Sequence, residues 1–199
     1  YSIAYDKKDH LPYAEQLRFK TEQVKDQLTR IGKIALPEVQ PCLGSAKQTF
    51  YRNKLEFTFA DKRWLTYEEI AAGGDIEREP ALGFHIPNCF DKVLNIDKCY
   101  LQAEPSNEIR DAVKRFCIER GYTFHNCREH AGLMRNIIIR TASTGEVMVI
   151  VIFNEDDRDR ITALMDMLKE RFPQITSLFY VVNTKWNDSV GDLEHILWS

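Results

Sequence analysis

Two cations stand a pleat apart at the start of an aromatic segment, FYRNKLEFTF, residues 50–59. Read with period two, Arg52 and Lys54 point to one side of a strand, and the other side is mostly apolar. A strand separates the two cations by roughly 7 Å, close to the spacing of successive phosphates in a nucleic acid. The segment therefore fits phosphate binding. A solvated strand face, with Lys54 and Glu56 as ordinary surface charges, fits the same pattern.

Charge is unevenly distributed along the chain. The 199 residues carry a net charge of −3 at pH 7, which argues against a strongly basic nucleic-acid-binding protein. Residues 1–63, however, carry 12 Lys and Arg against 8 Asp and Glu, whereas residues 64–199 carry 15 against 22. We therefore expect an anionic partner to be steered toward the first third of the chain.

The composition is that of a globular cytoplasmic protein. Hydrophobic residues make up 44% of the chain and charged residues 29%, which is enough for a sizeable core. No run of 18 apolar residues occurs, and the opening YSIAYDKKDH lacks the apolar stretch of a signal peptide. The five cysteines are odd in number and form no CxxC pair, so reduced thiols are expected.

Motifs for other chemistries are weak. The sequence has no GxSxG, HExxH or Walker A pattern, and Gly73-Gly74 follows no strong strand. His125, Cys127 and His130 are the only histidine and cysteine cluster. A zinc site there would need a fourth ligand, and a hydrolase would need an acid to orient the base. Both remain minor alternatives.

Apolar periodicity predicts the elements that position these residues. The first predicted helix runs from Tyr13 to Ile31. The second begins at Pro105 and is ended by Gly121, and the third begins at a cap, Asp156 or Asp157, and is ended by Pro173. Residues 33–48 and 61–80 are predicted as a connector and a loop or hairpin end. The predicted strands are 50–59, ALGFHIP, FDKVLNID, 134–142, 146–154 and 177–184.

This order predicts an α+β fold. From residue 91 it is β-α-β-β-α-β, typical of a split βαβ (ferredoxin-like) core with helices on one face of an antiparallel sheet. An N-terminal helix and an extra β-hairpin would be added to that core. We expect residues 1–48 to form the helix and connector, and residues 49–199 to form the α+β domain.

Several segments together resemble one protein family. In order and spacing, the chain is similar to the middle portion of the RNA (uracil-5-)-methyltransferases, which modify 23S ribosomal RNA or transfer RNA. The segments that carry the resemblance are LPYAEQLRFKTEQVKDQLTRIG, YRNKLEFTF, ALGFH, FDKVLNIDKC, GLMRNIIIRTA, SLFYVVNTKWN and GDLEHILW. The likeness covers nearly the whole chain.

The resemblance implies a role in substrate binding. Family enzymes combine an N-terminal OB-type domain, a central α/β domain and a C-terminal S-adenosylmethionine-dependent domain, and this chain matches the central one. In the family, a cysteine adds to uracil C6, S-adenosylmethionine methylates C5 and a carboxylate removes the C5 proton. Those groups belong to the C-terminal domain. The chain by itself is therefore expected to be inactive and to hold no catalytic residue.

The resemblance also implies RNA contacts. Arg52 and Lys54 match basic positions expected to contact phosphates, and ribosomal RNA is favoured over transfer RNA as the partner. Tyr51 is a candidate for stacking on a base, with core packing as the alternative, and the same choice holds for Phe84. His85 and Arg135 are weaker candidates for RNA binding.

An iron–sulfur cluster is a further implication of the resemblance. In the ribosomal-RNA branch, three upstream cysteines and one after the FDKVLNID-like strand hold a [4Fe–4S] cluster. Cys99 matches the fourth ligand, but YSIAYDKKDH contains no cysteine. Cys99 is therefore expected to be a latent ligand only, with the cluster possible in a longer protein.

A different class of function remains open. The chain would also suit a stand-alone ferredoxin-like module that binds RNA or protein without enzymatic activity. Affinity for RNA that falls steeply with salt would favour RNA binding, whereas indifference to RNA would favour protein interaction.

Overall fold

The first element among the described residues is the helix that its apolar stripe predicts. The computed structural model describes residues 11–199, so the expectations for YSIAYDKKDH lie outside the described residues. Helix α1 spans Tyr13–Asp26 and continues as a π-helical turn, Gln27–Ile31, which confirms the predicted end before Gly32. The extended residues after it fold back, because the Cys42 N–H donates to Thr21 Oγ1 at 2.8 Å.

Contacts in the chain divide it into two units, Tyr1–Gln48 and Thr49–Ser199. In the second unit the described residues form one seven-stranded sheet with the order β3-β2-β1-β4-β5-β6-β7. All neighbours pair antiparallel except β5 and β6. The strands are β1 Lys54–Ala60, β2 Ala81–Ile86, β3 Cys89–Asn95, β4 Met134–Thr141, β5 Val147–Phe153, β6 Ile175–Val182 and β7 Ile196–Leu197.

Helices α3, Ser106–Glu119, and α4, Arg158–Arg171, cover one face of the sheet, here called the helix face. In α3, the Arg110 guanidinium lies 5.4 Å from the ring centre of Phe57 in β1. In α4, Arg158 donates to the hydroxyl of Tyr180 in β6. The Tyr122 hydroxyl, just after α3, donates to Arg160 O in α4, so the two helices are neighbours.

The opposite face of the sheet, here called the open face, is covered only in part. Over β4, β5 and β6 an aliphatic cluster of Ile138, Ile150, Ile152 and Val181 packs beneath Val190 and Leu193. Over β1, β2 and β3 this face carries a small cluster of Ala60, Ala81 and Val93 beside polar side chains such as Thr58 and His85. Small side chains leave room above them, and a cleft lies there.

The predicted α+β class, with a mainly antiparallel sheet and helices on one face, is confirmed. The ferredoxin-like strand order is not observed. In that order β3 would lie beside β5 and β6, but β1 pairs with β4 from Lys54↔Arg140 to Thr58↔Asn136, so β1 and β2 separate β3 from β4. Helix α4 joins two adjacent parallel strands. Local patterns locate strands but do not fix which edges pair.

Two short elements escaped the sequence prediction. Helix α2, Tyr67–Ala72, lies in the segment predicted as a loop and begins with a capping box between Thr66 and Glu69. Strand β7 has only two residues. Among residues 11–199, no helix combines the length and the hydrophobicity that crossing a membrane requires.

Substitution Phe57→Ala should lower the free energy of unfolding by about 3–5 kcal/mol, because it empties a fully buried site. Phe57 stacks on Phe84 with ring centres 5.0 Å apart, and that contact would be lost. Urea denaturation measures the change. The matched control is Tyr67→Ala, at a side chain that is 86% exposed, which should change stability by less than about 0.5 kcal/mol. Equal effects of both substitutions would contradict the described core.

Candidate nucleic-acid interface

A cleft of about 870 Å³ opens on the open face, where β1 ends beside β2 and β3. Its floor includes Thr58 and Ala60 of β1, His85 of β2 and Val93 of β3. The walls come from three segments that are distant in sequence: residues 61–64, the turn at 125–128, and residues 186–188. Sheet pairing brings these segments together, and we call the site the sheet cleft.

Two cations lie against aromatic rings in the sheet cleft. Lys92 Nζ lies 4.2 Å from the ring centre of Trp64, and the Arg128 guanidinium lies 5.8 Å from that of Phe90. Phe90 is 70% exposed. Cations held against exposed aromatic rings are the combination that single-stranded nucleic acids bind, since bases stack on rings and phosphates pair with cations.

One carboxylate orients a cation at this site. Arg128 pairs with Asp91 at 2.5 Å, and this hydrogen bond holds the pKa of Asp91 below its ordinary value. The turn that carries Arg128 is fixed at Asn126, whose Nδ2 donates to Asp61 Oδ2 at 3.0 Å. Asp91 is therefore anionic at pH 7, and its ion pair holds Arg128 in place above Phe90.

A buried guanidinium fixes the far wall of the sheet cleft. Arg135 lies at a bulge in β4 and is only 2% exposed. It donates to the backbone oxygens of Asn183, Lys185 and Asn187 at 2.6–3.2 Å, and to Asp188 Oδ1 at 2.7 Å. We call residues 183–188 the clamped loop, because one side chain bonds four of its six residues.

The clamped loop carries an exposed tryptophan. Trp186 is 75% exposed and stacks on His130 with ring centres 4.3 Å apart and an angle of 18°. His130 lies edge-on to His125 and its Nε2 lies 2.9 Å from Thr184 O. Burial first, then the nearby Arg135 and His130, lower the pKa of His125 to about 4. His125 is therefore neutral at pH 7.

The structure places two predicted RNA contacts in the sheet cleft. His85 lines it, and its Nδ1 has no hydrogen-bond partner among the described residues. Arg135 lines it as well, but its guanidinium bonds the clamped loop, so its geometry indicates a positioning role. Phe84 is only 5% exposed, so of its two alternatives, stacking on a base and packing in the core, the structure shows core packing.

The other predicted contacts lie at the opposite end of β1. Arg52 and Tyr51 precede the strand, and Tyr51 is 56% exposed. Lys54 begins the strand and pairs in register with Arg140 of β4, which is also exposed. Lys54 has Glu56 at 3.8 Å, whereas Arg140 has no carboxylate partner within the described chain. Like charges directly opposite each other repel, so an anion between them would be stabilised.

Cys99 has structural rather than ligand surroundings. It is 5% exposed, and the Asn107 side chain bonds both its N–H and its backbone oxygen. Within residues 11–199, no three His, Cys, Asp or Glu side chains come together as metal ligands. One thiol does not fit a [4Fe–4S] cluster, so the described residues do not support it, and the latent role of Cys99 stays a prediction.

The cluster at residues 125–130 does not form a catalytic pair. Burial raises the pKa of the Cys127 thiol, and its Sγ lies 3.9 Å from Phe90 O. A neutral thiol beside a weakly basic histidine is a poor nucleophile. The zinc and hydrolase alternatives therefore gain no support from this geometry.

Sequence reasoning missed most of the sheet cleft. The sequence did not indicate Trp64, Phe90, Lys92, Arg128 or Trp186 of the cleft, nor Arg140 at the opposite end of β1. A signal was present in FDK and TKW, where an aromatic residue lies within two positions of a lysine. Such pairs are common on surfaces, and only the fold shows that they face one cleft.

Comparisons with known proteins identify the family. The chain is 54% identical over 187 residues to an uncharacterized RNA methyltransferase of Bacteroides thetaiotaomicron, covering 92% of this chain and 41% of the relative. A second uncharacterized RNA methyltransferase, of Porphyromonas gingivalis, is 52% identical over 194 residues, with 95% and 42% covered. The chain is a homologue of the RNA methyltransferases. No family model matches it.

A solved methyltransferase has a related fold. The crystal structure of Pyrococcus abyssi tRNA (uracil-54, C5)-methyltransferase, in complex with S-adenosyl-L-homocysteine, superposes with a TM-score of 0.62. The two are 25% identical, and the match covers 96% of this chain and 39% of that one. The resemblance to RNA (uracil-5-)-methyltransferases is thereby confirmed. The chain spans about two fifths of the length of the relatives it matches.

We expect stability to depend on pH through His125. Its pKa is about 4 when folded and about 6.5 when unfolded, so the unfolded chain binds more protons between these values. The contribution of neutral His125 to the free energy of unfolding is therefore fully present above pH 6.5. It falls as the pH drops toward 4, by up to about 1.4 kcal/mol per pH unit. Urea midpoints across this range should show a shallower slope for His125→Asn. The same slope in both proteins would contradict the burial of a neutral His125.

The matched control is His195→Asn, because His195 is exposed. This substitution should leave the pH slope of the unfolding free energy unchanged. The difference between the two variants separates His125 from the carboxylates, which also take up protons toward pH 4.

Proposed function

We propose that this chain is the central, substrate-binding region of a cytoplasmic, S-adenosylmethionine-dependent RNA (uracil-5-)-methyltransferase. The observation that carries the proposal is the sheet cleft, which holds exposed aromatic rings and cations on the part of the open face that Val190 and Leu193 do not cover. The homology to RNA methyltransferases supports RNA as the ligand.

The open face offers a path for an RNA strand. Thr58 in the floor of the sheet cleft and Lys54 lie on the same side of β1, four residues and roughly 13 Å apart. That distance corresponds to about two phosphate spacings along a single strand. A strand whose bases enter the sheet cleft would place a phosphate between Lys54 and Arg140. Arg52 and Tyr51, just before β1, would contact the next nucleotide.

The described residues would bind substrate and would leave the methyl transfer to other parts of a longer enzyme. S-adenosylmethionine sites of this class need a glycine-rich turn between a strand and a helix. The β5–α4 connection, residues 154–157, is instead Asn-Glu-Asp-Asp, so these residues do not fit the cofactor. Burial raises the pKa of Cys117 and of Cys127, which does not suit a nucleophile. We therefore assign a catalytic role to none of the described residues.

The RNA substrate is proposed to be ribosomal, following the sequence resemblance. The Pyrococcus abyssi enzyme acts on transfer RNA, so both classes belong in the test. Native protein purified from its own cell should have a mass about twice that of this chain. It should transfer the tritium-labelled methyl group of S-adenosylmethionine to uracil C5 in ribosomal transcripts. Methylation of transfer RNA alone would show that the substrate is transfer RNA rather than ribosomal RNA. A native chain ending at Ser199 would show that the enzyme assignment is wrong.

Lys54→Ala and Arg140→Ala should each weaken binding of the 199-residue chain to RNA. Loss of one phosphate contact lowers affinity similarly for all sequences and reduces the slope of log affinity against log salt by about one. Fluorescence anisotropy with labelled RNA over a salt series measures both quantities.

Lys169→Ala is the matched control, because Lys169 is an exposed cation on α4, which covers the helix face. It should leave affinity and salt slope unchanged. If all three substitutions act alike, the RNA does not follow the open face. If the unsubstituted chain binds no RNA at low salt, the proposed function is wrong and a protein-interaction module is the better account.

A further inference from the structure

We infer that Trp186 is a stacking platform for an unpaired base, so that the sheet cleft selects single-stranded or looped RNA over duplex RNA. The inference rests on the proposed function and adds the structural class of RNA and the residue that recognises it. It follows from the exposure of the indole, from the support beneath it, and from the charges around it.

The indole is presented to solvent on one side only. His130 covers one face, with ring centres 4.3 Å apart and nearly parallel planes, yet the residue is 75% exposed. The other face is therefore open. An open indole face above an already stacked ring is the arrangement that a third planar ring extends, and every nucleobase has such a ring.

The platform is rigid before any ligand arrives. Besides the four bonds from Arg135, Asn183 Nδ2 donates to Asn187 O at 3.0 Å. The Lys185 N–H returns a bond to Asn183 Oδ1 at 3.0 Å, and Lys185 Nζ pairs with Asp192. A loop bonded at both ends and in the middle holds Trp186 in one place. Binding a base there then loses little conformational entropy.

The surroundings match a nucleotide rather than an apolar ligand. Cations that line the same cleft are Lys62, Arg78, Lys92, Arg128 and Arg135, against the carboxylates Asp61, Asp91 and Asp188. The cleft volume of about 870 Å³ lies within the rough range of 300–1,000 Å³ for small-ligand sites. A base on Trp186 would thus have its phosphate among a surplus of positive charges.

Duplex RNA cannot use this platform. Paired bases are stacked on one another, so their faces are inaccessible, and only loops, bulges and ends offer a free base. An experiment can therefore distinguish the phosphate contacts from the contact with a base face. Lys54 and Arg140 contact phosphates, which every RNA has, whereas Trp186 contacts a base face, which only unpaired RNA exposes.

The test compares two labelled RNA probes, a single-stranded oligouridylate and the duplex made from it with oligoadenylate, which is long enough that its two terminal base pairs are a small fraction of the binding sites. Trp186→Ala should weaken binding of the 199-residue chain to the single strand roughly tenfold, the effect of one lost stacked base. Binding to the duplex should be unchanged. Trp186→Phe, which keeps a ring, should restore most of the affinity for the single strand.

Tyr67→Ala is the matched control, because Tyr67 is an aromatic side chain at 86% exposure that does not line the sheet cleft. It should bind both probes as the unsubstituted chain does. Circular dichroism and thermal unfolding verify that Trp186→Ala is folded, which its exposure predicts.

Each outcome has one meaning. Selective loss of single-strand affinity in Trp186→Ala supports the platform. Equal loss for both probes, or no loss, overturns it while leaving the proposed function intact, provided that Lys54→Ala still weakens binding. Failure of the unsubstituted chain to bind either probe removes the proposed function and this inference together, and an exposed tryptophan for a protein partner then becomes the explanation.

Discussion

The buried guanidinium of Arg135 is the interaction on which the candidate site depends. A buried cation without partners would cost several kcal/mol, and here three backbone oxygens and one carboxylate accept its hydrogen bonds. Backbone oxygens can reach the Arg135 guanidinium only if the clamped loop lies across the N-terminal end of β4. The requirement to satisfy one charge therefore fixes the conformation of six residues, and with them the position of Trp186.

The sheet provides the second constraint. Helices α3 and α4 cover the helix face completely enough that Phe57, Ile137, Val149 and Leu178 are fully buried. The open face is divided: its β4–β6 half is sealed by Val190 and Leu193, and its β1–β3 half carries a small buried cluster of Ala60, Ala81 and Val93 beside polar side chains. The polar Thr58 and His85 are only half-buried and line the sheet cleft, as is usual for side chains that can stay in contact with water. The sheet thus keeps one region available to a ligand.

The electrostatic character of the site is local. A net charge of −3 for the whole chain says little about a cleft in which cations outnumber carboxylates. Exposed cations act over about a Debye length, roughly 8 Å at physiological ionic strength. The placement of Lys92 over Trp64 and Arg128 over Phe90 therefore matters more for an anionic ligand than the acidic residues elsewhere on the surface.

The sequence by itself determined the long helices and strands and indicated the family. Periodicity located α1, α3, α4 and the long strands, because burial of one face imposes a period on the residues that form it. The ordered segments from LPYAEQL to GDLEHILW indicated the RNA (uracil-5-)-methyltransferases, which the homologues confirm. Arg52 and Lys54 were visible as a contact because they lie two residues apart in a predicted strand, although β1 begins only at Lys54 and Arg52 precedes it.

Only the tertiary structure decided the strand order and the composition of the sheet cleft. Pairing of β1 with β4 is a contact between residues about 80 positions apart, and hydrophobic patterns carry no information about which edges meet. The same holds for Arg135, which looks like a surface cation in the sequence but is buried because its acceptors lie about 50 residues further on. Long-range contacts, rather than local pattern, assign these side chains their roles.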